Sequence, residues 1–268
     1  MSLNNASEVT NLIDTHVHFD DDRFDHDRNI VYKNALDSGV TRLIVPATTR
    51  HRWQKIQSLC ARHSQVYPTA GLHPAYIQQH KDSDLHDLPE ALESGNCVAV
   101  GECGLDGFIK ELDFNKQKRF FDQQLMIAAE IKLPVIVHAR SAVQEVIQSI
   151  RTAGKNTTGV IHSYNGSLEQ AKQLIELGYL LSFGGAITYD RATRLHKVVA
   201  ELPLDTIMLE TDAPDQTVSR NNGERNEPAY LTEVLDQMAK LKKISIKDMA
   251  ISSNRNATSL FKLPPPVA

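Results

Sequence analysis

At 268 residues, with hydrophobic residues at 41% and charged residues at 23%, the chain has the composition of a globular protein and excludes a disordered one. A formal net charge of −4 argues against a broad electrostatic grip on duplex nucleic acid, so an anionic substrate needs a local source of positive charge, which bound metal ions can supply. Three cysteines (Cys60, Cys97, Cys103) without a CxxC pair do not suit a disulfide framework, no apolar run of about 18 residues excludes a transmembrane helix, and the polar segment Met1–Thr10 lacks the apolar run of a signal peptide; the expected setting is the cytoplasm, with no membrane partner and no obligate protein partner.

In chain order, Leu12–Phe19 is the first apolar run of strand type. Asp25–Ser38 follows with a helical pattern, Ile30, Val31 and Ala35 on one face and Gly39 as its stop. Arg42–Ala47, Val66–Leu72 and Cys97–Leu105 are the next three strands. Lys116–Ile131 carries Phe120, Phe121, Leu125, Ala128 and Ala129 at helical spacing. The strand Pro134–Ala139 leads to the helix Ser141–Ala153, which ends at Gly154. The strand Gly159–Ser163 leads to the helix Ser167–Leu177, with a Ser cap, Glu169 and Gln170 in the first turn and Gly178 beyond it. Tyr179–Phe183 and Thr206–Thr211 complete the strands, Pro228–Lys240 and Ser245–Leu260 the helices, and the Pro-rich Leu263–Ala268 reads as a surface tail.

The strands are rich in Val, Ile and Leu, as parallel strands covered on both faces must be. Eight of them alternating with helices, and no linker or low-complexity segment, predict one domain over residues 1–268, an α/β protein of the (β/α)8 TIM-barrel type. The competing fold, an open doubly wound sheet, carries a Gly-rich loop after its first strand. Here that strand ends in Asp14-Thr15-His16-Val17-His18, and the chain has no GxGxxG or Walker A sequence.

His16 and His18 alternate around Val17, so on a strand both point to one face, where two imidazoles can share a metal ion. Glu102 stands near the end of the fourth strand, His138 closes the fifth, His162 the sixth and Asp212 the eighth. In a (β/α)8 barrel these strand ends meet at one rim, the one that carries active sites. His73 also falls at a strand end, whereas His26, His51, His63, His80, His86 and His196 fall on loops or helix faces and are expected at the surface. Four imidazoles and two carboxylates exceed one tetrahedral ion and divide into two sites sharing a bridge, an arrangement suited to stabilising both oxygens of an in-line displacement. No GxSxG elbow competes, and Cys103 reads as a small strand residue.

With these residues in view, the chain resembles the TatD family of metal-dependent deoxyribonucleases, a branch of the amidohydrolase-like barrels. The resemblance runs from Ile13-Asp14-Thr15-His16-Val17-His18 to Asn256-Ala257-Thr258-Ser259-Leu260-Phe261. Between them lie Ala70-Gly71-Leu72-His73-Pro74, Gly101-Glu102-Cys103-Gly104-Leu105-Asp106, Val137-His138-Ala139-Arg140, Ile161-His162-Ser163, Glu210-Thr211-Asp212-Ala213-Pro214 and Arg225-Asn226-Glu227-Pro228. The resemblance implies two divalent ions (Mg2+, Mn2+ or Zn2+), the first on His16, His18 and Asp212, the second on His138 and His162, with Glu102 between them. It implies that Asp212 handles the proton of the attacking water and that the substrate is DNA, taken as single strands or ends. It further implies that His73, Arg225 and Asn226 contact substrate or support the ligands, with Arg140 a candidate phosphate contact. Three positions depart from the family pattern: Gly107, the segment Ser163-Tyr164-Asn165-Gly166, and Asp215. An acid at Asp215 resembles the YjjV-like branch of the family and opposes a phosphate backbone. Two other functions share the residue set: an amidohydrolase-like enzyme acting on a small ester, amide or phosphoester, and a non-enzymatic scaffold with a structural metal.

Overall fold

The computed structural model describes residues 11–265, so the segment Met1–Thr10 and the last three residues of the tail lie outside them. The chain divides into two compact units, one formed by the residues through Val45 together with those from Ser182 onward, the other by Pro46–Leu181.

In the first unit, β1 (Leu12–Asp14) pairs in parallel with β2 (Val40–Val45). The helix α1 (Arg28–Asp37) connects them, burying Val31 and Ala35. Leu43, Ile44 and Val45 are fully buried, each worth about 1.5–3 kcal/mol of apolar transfer. β8 (Ile207–Leu209) lies beside β1: the Thr15 N–H donates to the Leu209 carbonyl at 3.1 Å, and the Asp212 N–H to the His16 carbonyl at 2.8 Å. The Glu210 N–H donates to Phe183, at the end of β7, at 3.1 Å. Three helices cover this unit, α7 (Thr193–Glu201), α8 (Leu231–Lys242) and α9 (Ile246–Phe261). α9 is stitched to the strands by side chains: Asn254 Oδ1 accepts from Ile13 N–H at 3.1 Å, and Ser253 Oγ accepts from Leu209 N–H at 3.1 Å.

The second unit runs through α2 (Arg50–Cys60), β3 (Val66–Pro68), α3 (Asp82–Ser94), β4 (Val100–Asp106), α4 (Phe114–Ile131), β5 (Val135–Arg140), α5 (Val143–Ala153), β6 (Gly159–Ile161), α6 (Leu168–Glu176) and the start of β7 (Tyr179–Phe183). β4 to β7 pair in chain order, all in parallel. Asp113 caps α4 through its side chain, and Ser167 and Gln170 form a capping box on α6. Two buried glutamines of α4 bind strand-end backbone at both of its groups. Gln124 accepts from Leu72 N–H at 2.8 Å and donates to Leu72 O at 3.2 Å, and Gln117 does the same for Asp106, at 2.8 and 3.2 Å. The loop starting at His73 and the end of β4 are thereby fixed to one helix. β5 packs against β4 at Gly104, where an added Cβ would fall 2.1 Å from the His138 carbonyl oxygen and where φ is +134°. Only glycine allows this approach of the two strands.

Parallel strands joined by helical crossovers are the (β/α)8 plan that the sequence predicts. β1, β3, β4, β6 and β8 are shorter than their apolar runs. Beyond Asp14 the backbone bonds to Leu209 of β8 through Thr15, to Ile44 of β2 through Val17 and to the segment after β8 through His16 and His18, which stand past the strand proper. Three helices escape the sequence pattern. α2 presents only Trp53, Ile56 and Cys60 to the core and α3 contains Pro89, whereas α7 is short but amphipathic, burying Leu195, Val198 and Val199. Among the described residues, no helix is long and apolar enough to cross a membrane.

Candidate metal centre

In the first unit, Asp212 gathers the two histidines of the first strand's end. His16 Nε2 and His18 Nε2 each lie 3.5 Å from Asp212 Oδ1. The other carboxylate oxygen, Oδ2, accepts from Gln216 Nε2 at 2.5 Å. Asp212 adopts a left-handed φ of +57°, a conformation Asp tolerates better than most residues. Behind this cluster lies Asp14, fully buried. Its Oδ1 accepts from the N–H groups of His16 (3.2 Å) and Thr211 (3.0 Å), and its Oδ2 from the Thr211 hydroxyl (2.5 Å). Burial pushes the Asp14 carboxyl up to about 8 in spite of these donors. Asp14 thus joins the His16 backbone to that of Thr211, one residue before Asp212.

Asn226 and Arg225 belong to the same unit. Asn226 is fully buried and holds the loop after β8. Its Nδ2 donates to the carbonyls of Thr211 (2.8 Å), Asp215 (2.8 Å) and Gln216 (3.3 Å), and its Oδ1 accepts from Glu227 N–H at 3.0 Å. Arg225 makes a two-toothed pair with Asp27, at 2.9 and 2.6 Å, and also reaches Glu227 at 2.9 Å.

In the second unit, one oxygen of Glu102 receives three imidazoles. His73 Nε2 lies 2.9 Å from Glu102 Oε1, His138 Nδ1 2.9 Å and His162 Nε2 3.1 Å. His138 Nδ1 and His162 Nε2 are 3.3 Å from each other. Glu102 is 1% exposed, and a carboxylate that deep is costly unless a cation or donors compensate it. The partners assign the protons. His73 Nδ1 accepts from Ala75 N–H at 3.0 Å, so its Nε2 carries the proton that Glu102 receives. His138 Nε2 lies 3.2 Å from Asp106 Oδ2, and with its proton there a neutral ring turns the lone pair of Nδ1 towards Glu102 and His162. Lone pairs converging in this way call for a positive charge between them, a proton or a metal ion. His73, Glu102 and His138 offer ligand atoms within 4.8 Å of one another, and the donors of both clusters, nitrogen and carboxylate oxygen, are those of divalent transition-metal sites.

The electrostatics agree. Burial by itself would push the His138 imidazole down, but hydrogen bonds to Asp106 and Glu102 outweigh it and raise it. Burial would likewise raise Asp106, and donors from His138, Ile109 and Phe108 overcome it, holding its carboxyl down at about 2. Asp106 is therefore an anion at the end of β4, bonded to the imidazole edge that faces away from the cluster. Its place in Gly101-Glu102-Cys103-Gly104-Leu105-Asp106 does not by itself give Asp106 a role. Glu102 and Asp106 are four residues apart on one strand, and that even spacing is the signal available in the sequence.

Two further placements refine the sequence reading. His80, expected at the surface, is buried, with Nε2 2.9 Å from the His73 carbonyl oxygen. The apolar packing of the Pro74–Tyr76 turn region draws it in; its ring stacks on Phe120 at 6.0 Å. Arg140 is exposed and lies over the ring of Phe108, 3.9 Å from its centroid, with Phe108 itself 58% exposed. Cys103 is fully buried and its thiol is pushed up by burial, so it offers no thiolate nucleophile.

The model of the family described as TatD related DNase matches residues 13–262. The chain is 36% identical to the uncharacterized metal-dependent hydrolase YjjV of Escherichia coli K12, over 96% of this chain and 100% of that one. It is 32% identical to the uncharacterized metal-dependent hydrolase YabD of Bacillus subtilis 168, over 94% and 99%. The crystal structure of YjjV, a TatD homologue, superimposes with a TM-score of 0.90, covering 94% of this chain and 98% of the other at 35% identity.

Proposed function

Because this chain belongs to the TatD family, we propose that the metal-dependent hydrolysis it performs is cleavage of phosphodiester bonds in DNA, taken as single strands or ends. That it is a metal-dependent hydrolase of the (β/α)8 type follows from the family and the fold. The observation that carries the finer reading is the convergence of three imidazoles on the buried Glu102, with a second nitrogen–carboxylate set at His16, His18 and Asp212.

His16, His18 and Asp212 would hold one ion, and Glu102, His138 and His162 a second. Mg2+, Mn2+ and Zn2+ are the candidates. When bound, such ions supply Lewis-acid activation of water and neutralise charge developing on the phosphoryl oxygens. The protein's own groups do the rest. Asp212, with one oxygen held by Gln216, receives the proton of the attacking water. His73, donating to Glu102, fixes that carboxylate's orientation. Asp106, accepting from His138 Nε2, keeps Nδ1 available as a lone pair. Asn226 holds the backbone on either side of Asp212.

The test is turnover of a short single-stranded oligonucleotide by metal-stripped protein reloaded with Mg2+, Mn2+ or Zn2+, with metal content measured on the same sample. Wild type should turn over in proportion to bound metal, and Glu102→Ala and His138→Ala should lose at least about 100-fold in kcat/KM. Variants as active as wild type would mean a contaminating nuclease. A panel containing small esters, amides and phosphomonoesters identifies the bond: turnover of these with none of DNA would overturn the phosphodiester reading.

A further inference from the structure

Beside Asp212, within the first unit, lies a cavity of about 800 Å³ lined in part by Arg23, His26, Pro214, Asp215, Gln216 and Arg225. Gln216 lines it and also donates to Asp212 Oδ2 at 2.5 Å, so the cavity adjoins a metal-ligand candidate through one side chain. Two guanidinium groups face it, the usual means of holding phosphate. Each is already committed. Arg23 Nε and Nη2 donate to Asp21 Oδ1 and Oδ2, both at 3.0 Å, while Nη1 and Nη2 donate to Asp215 Oδ1 at 2.9 Å and Oδ2 at 2.7 Å. Arg225 is shared between Asp27 and Glu227. With Glu224 also on the wall, five carboxylates confront two cations.

We infer that Asp215 determines substrate length by withholding Arg23 from phosphate. The cavity admits a short phosphodiester of dinucleotide size, whose single phosphate sits at the metal ligands, and disfavours a strand whose next phosphates would enter it. This inference rests on the phosphodiester reading above. Its cause is local. The two carboxylates take both paired-donor edges of the Arg23 guanidinium, four of its five N–H groups, and Asp215 adds a like charge where a second phosphate would lie. Asp215 is also the replaceable member of the pair. Its side chain is 55% exposed, whereas its place in the loop is held by its backbone carbonyl, which accepts from Asn226.

The experiment compares wild type, Asp215→Asn and the double variant Arg23→Gln/Asp215→Asn on thymidylyl-thymidine and on a longer oligothymidylate, with kcat/KM for each and anisotropy of a labelled oligothymidylate as the binding readout. Asp215→Asn should raise the ratio of long to short kcat/KM by about fivefold or more and tighten oligothymidylate binding by a similar factor. The double variant should return the ratio to the wild-type value, because the gain depends on the released Arg23. An unchanged ratio and unchanged binding in Asp215→Asn, or a gain that survives loss of Arg23, refutes the inference. If wild type turns over neither substrate with metal bound, the phosphodiester reading fails instead, while the anisotropy comparison still decides whether Asp215 withholds Arg23.

Discussion

Asp106→Asn should weaken divalent-metal binding at the Glu102 cluster by about 10- to 100-fold while the protein stays folded. Asp106 Oδ1 accepts from the N–H groups of Phe108 at 2.8 Å and Ile109 at 3.2 Å, and an asparagine keeps that oxygen. What changes is the other end. Oδ2, 3.2 Å from His138 Nε2, becomes an amino group that donates. His138 then satisfies it by presenting a lone pair at Nε2, which moves the ring proton to Nδ1. That nitrogen is the one 2.9 Å from Glu102 Oε1, and once protonated it has no lone pair for a metal. Forcing the ligating tautomer breaks that neutral hydrogen bond and leaves a buried donor unmet, in all about 1.5–3 kcal/mol. The assay is calorimetric titration of metal-stripped wild type and variant with Mn2+ or Zn2+, beside thermal melting of the metal-free proteins. Melting should fall by only a few degrees. An asparagine variant that binds metal with wild-type affinity would show that Asp106 does not set the His138 tautomer.

The same variant tests pH dependence. The Asp106 carboxyl is held at about 2 in the folded chain against 3.8 ordinarily, so its contribution is complete above pH 4 and lost as pH falls through 2. Metal-free wild type should lose about 2 kcal/mol over that window that Asp106→Asn does not lose, read by urea denaturation at stepped pH. Asn226→Ala should cost about 2–4 kcal/mol in the same assay, since it leaves the buried carbonyl of Thr211 and the part-buried one of Asp215 without their donor. A loss under about 1 kcal/mol would remove Asn226 as the holder of the loop that carries Asp212.

Much of the site is legible in the sequence, because the chemistry of a metal centre restricts residue type. Imidazoles and carboxylates at the ends of Val- and Ile-rich runs are costly to bury and so stand out against their surroundings, as His138 does after Val135-Ile136-Val137. Period-two spacing brings His16 and His18 to one place without any knowledge of the fold. The alternation of strand and helix likewise announces the (β/α)8 plan, although α2, α3 and α7 are not among the helices the pattern singles out.

Tertiary structure decides how those side chains are wired. That Glu102 receives three imidazoles on one oxygen, that Asp106 faces the far edge of His138, and that Asp215 encloses an arginine 192 positions away are consequences of packing between distant segments. No local pattern encodes them, because hydrogen-bond partners are chosen by proximity in space and spacing along the chain constrains only neighbours on one element. Asn226 shows the division most plainly. As a motif residue it reads as a polar group near substrate, and in the folded chain its amide is committed to the loop behind Asp212. The residue types announce a set of nitrogen and carboxylate donors; the fold decides which of them meet and at which atoms.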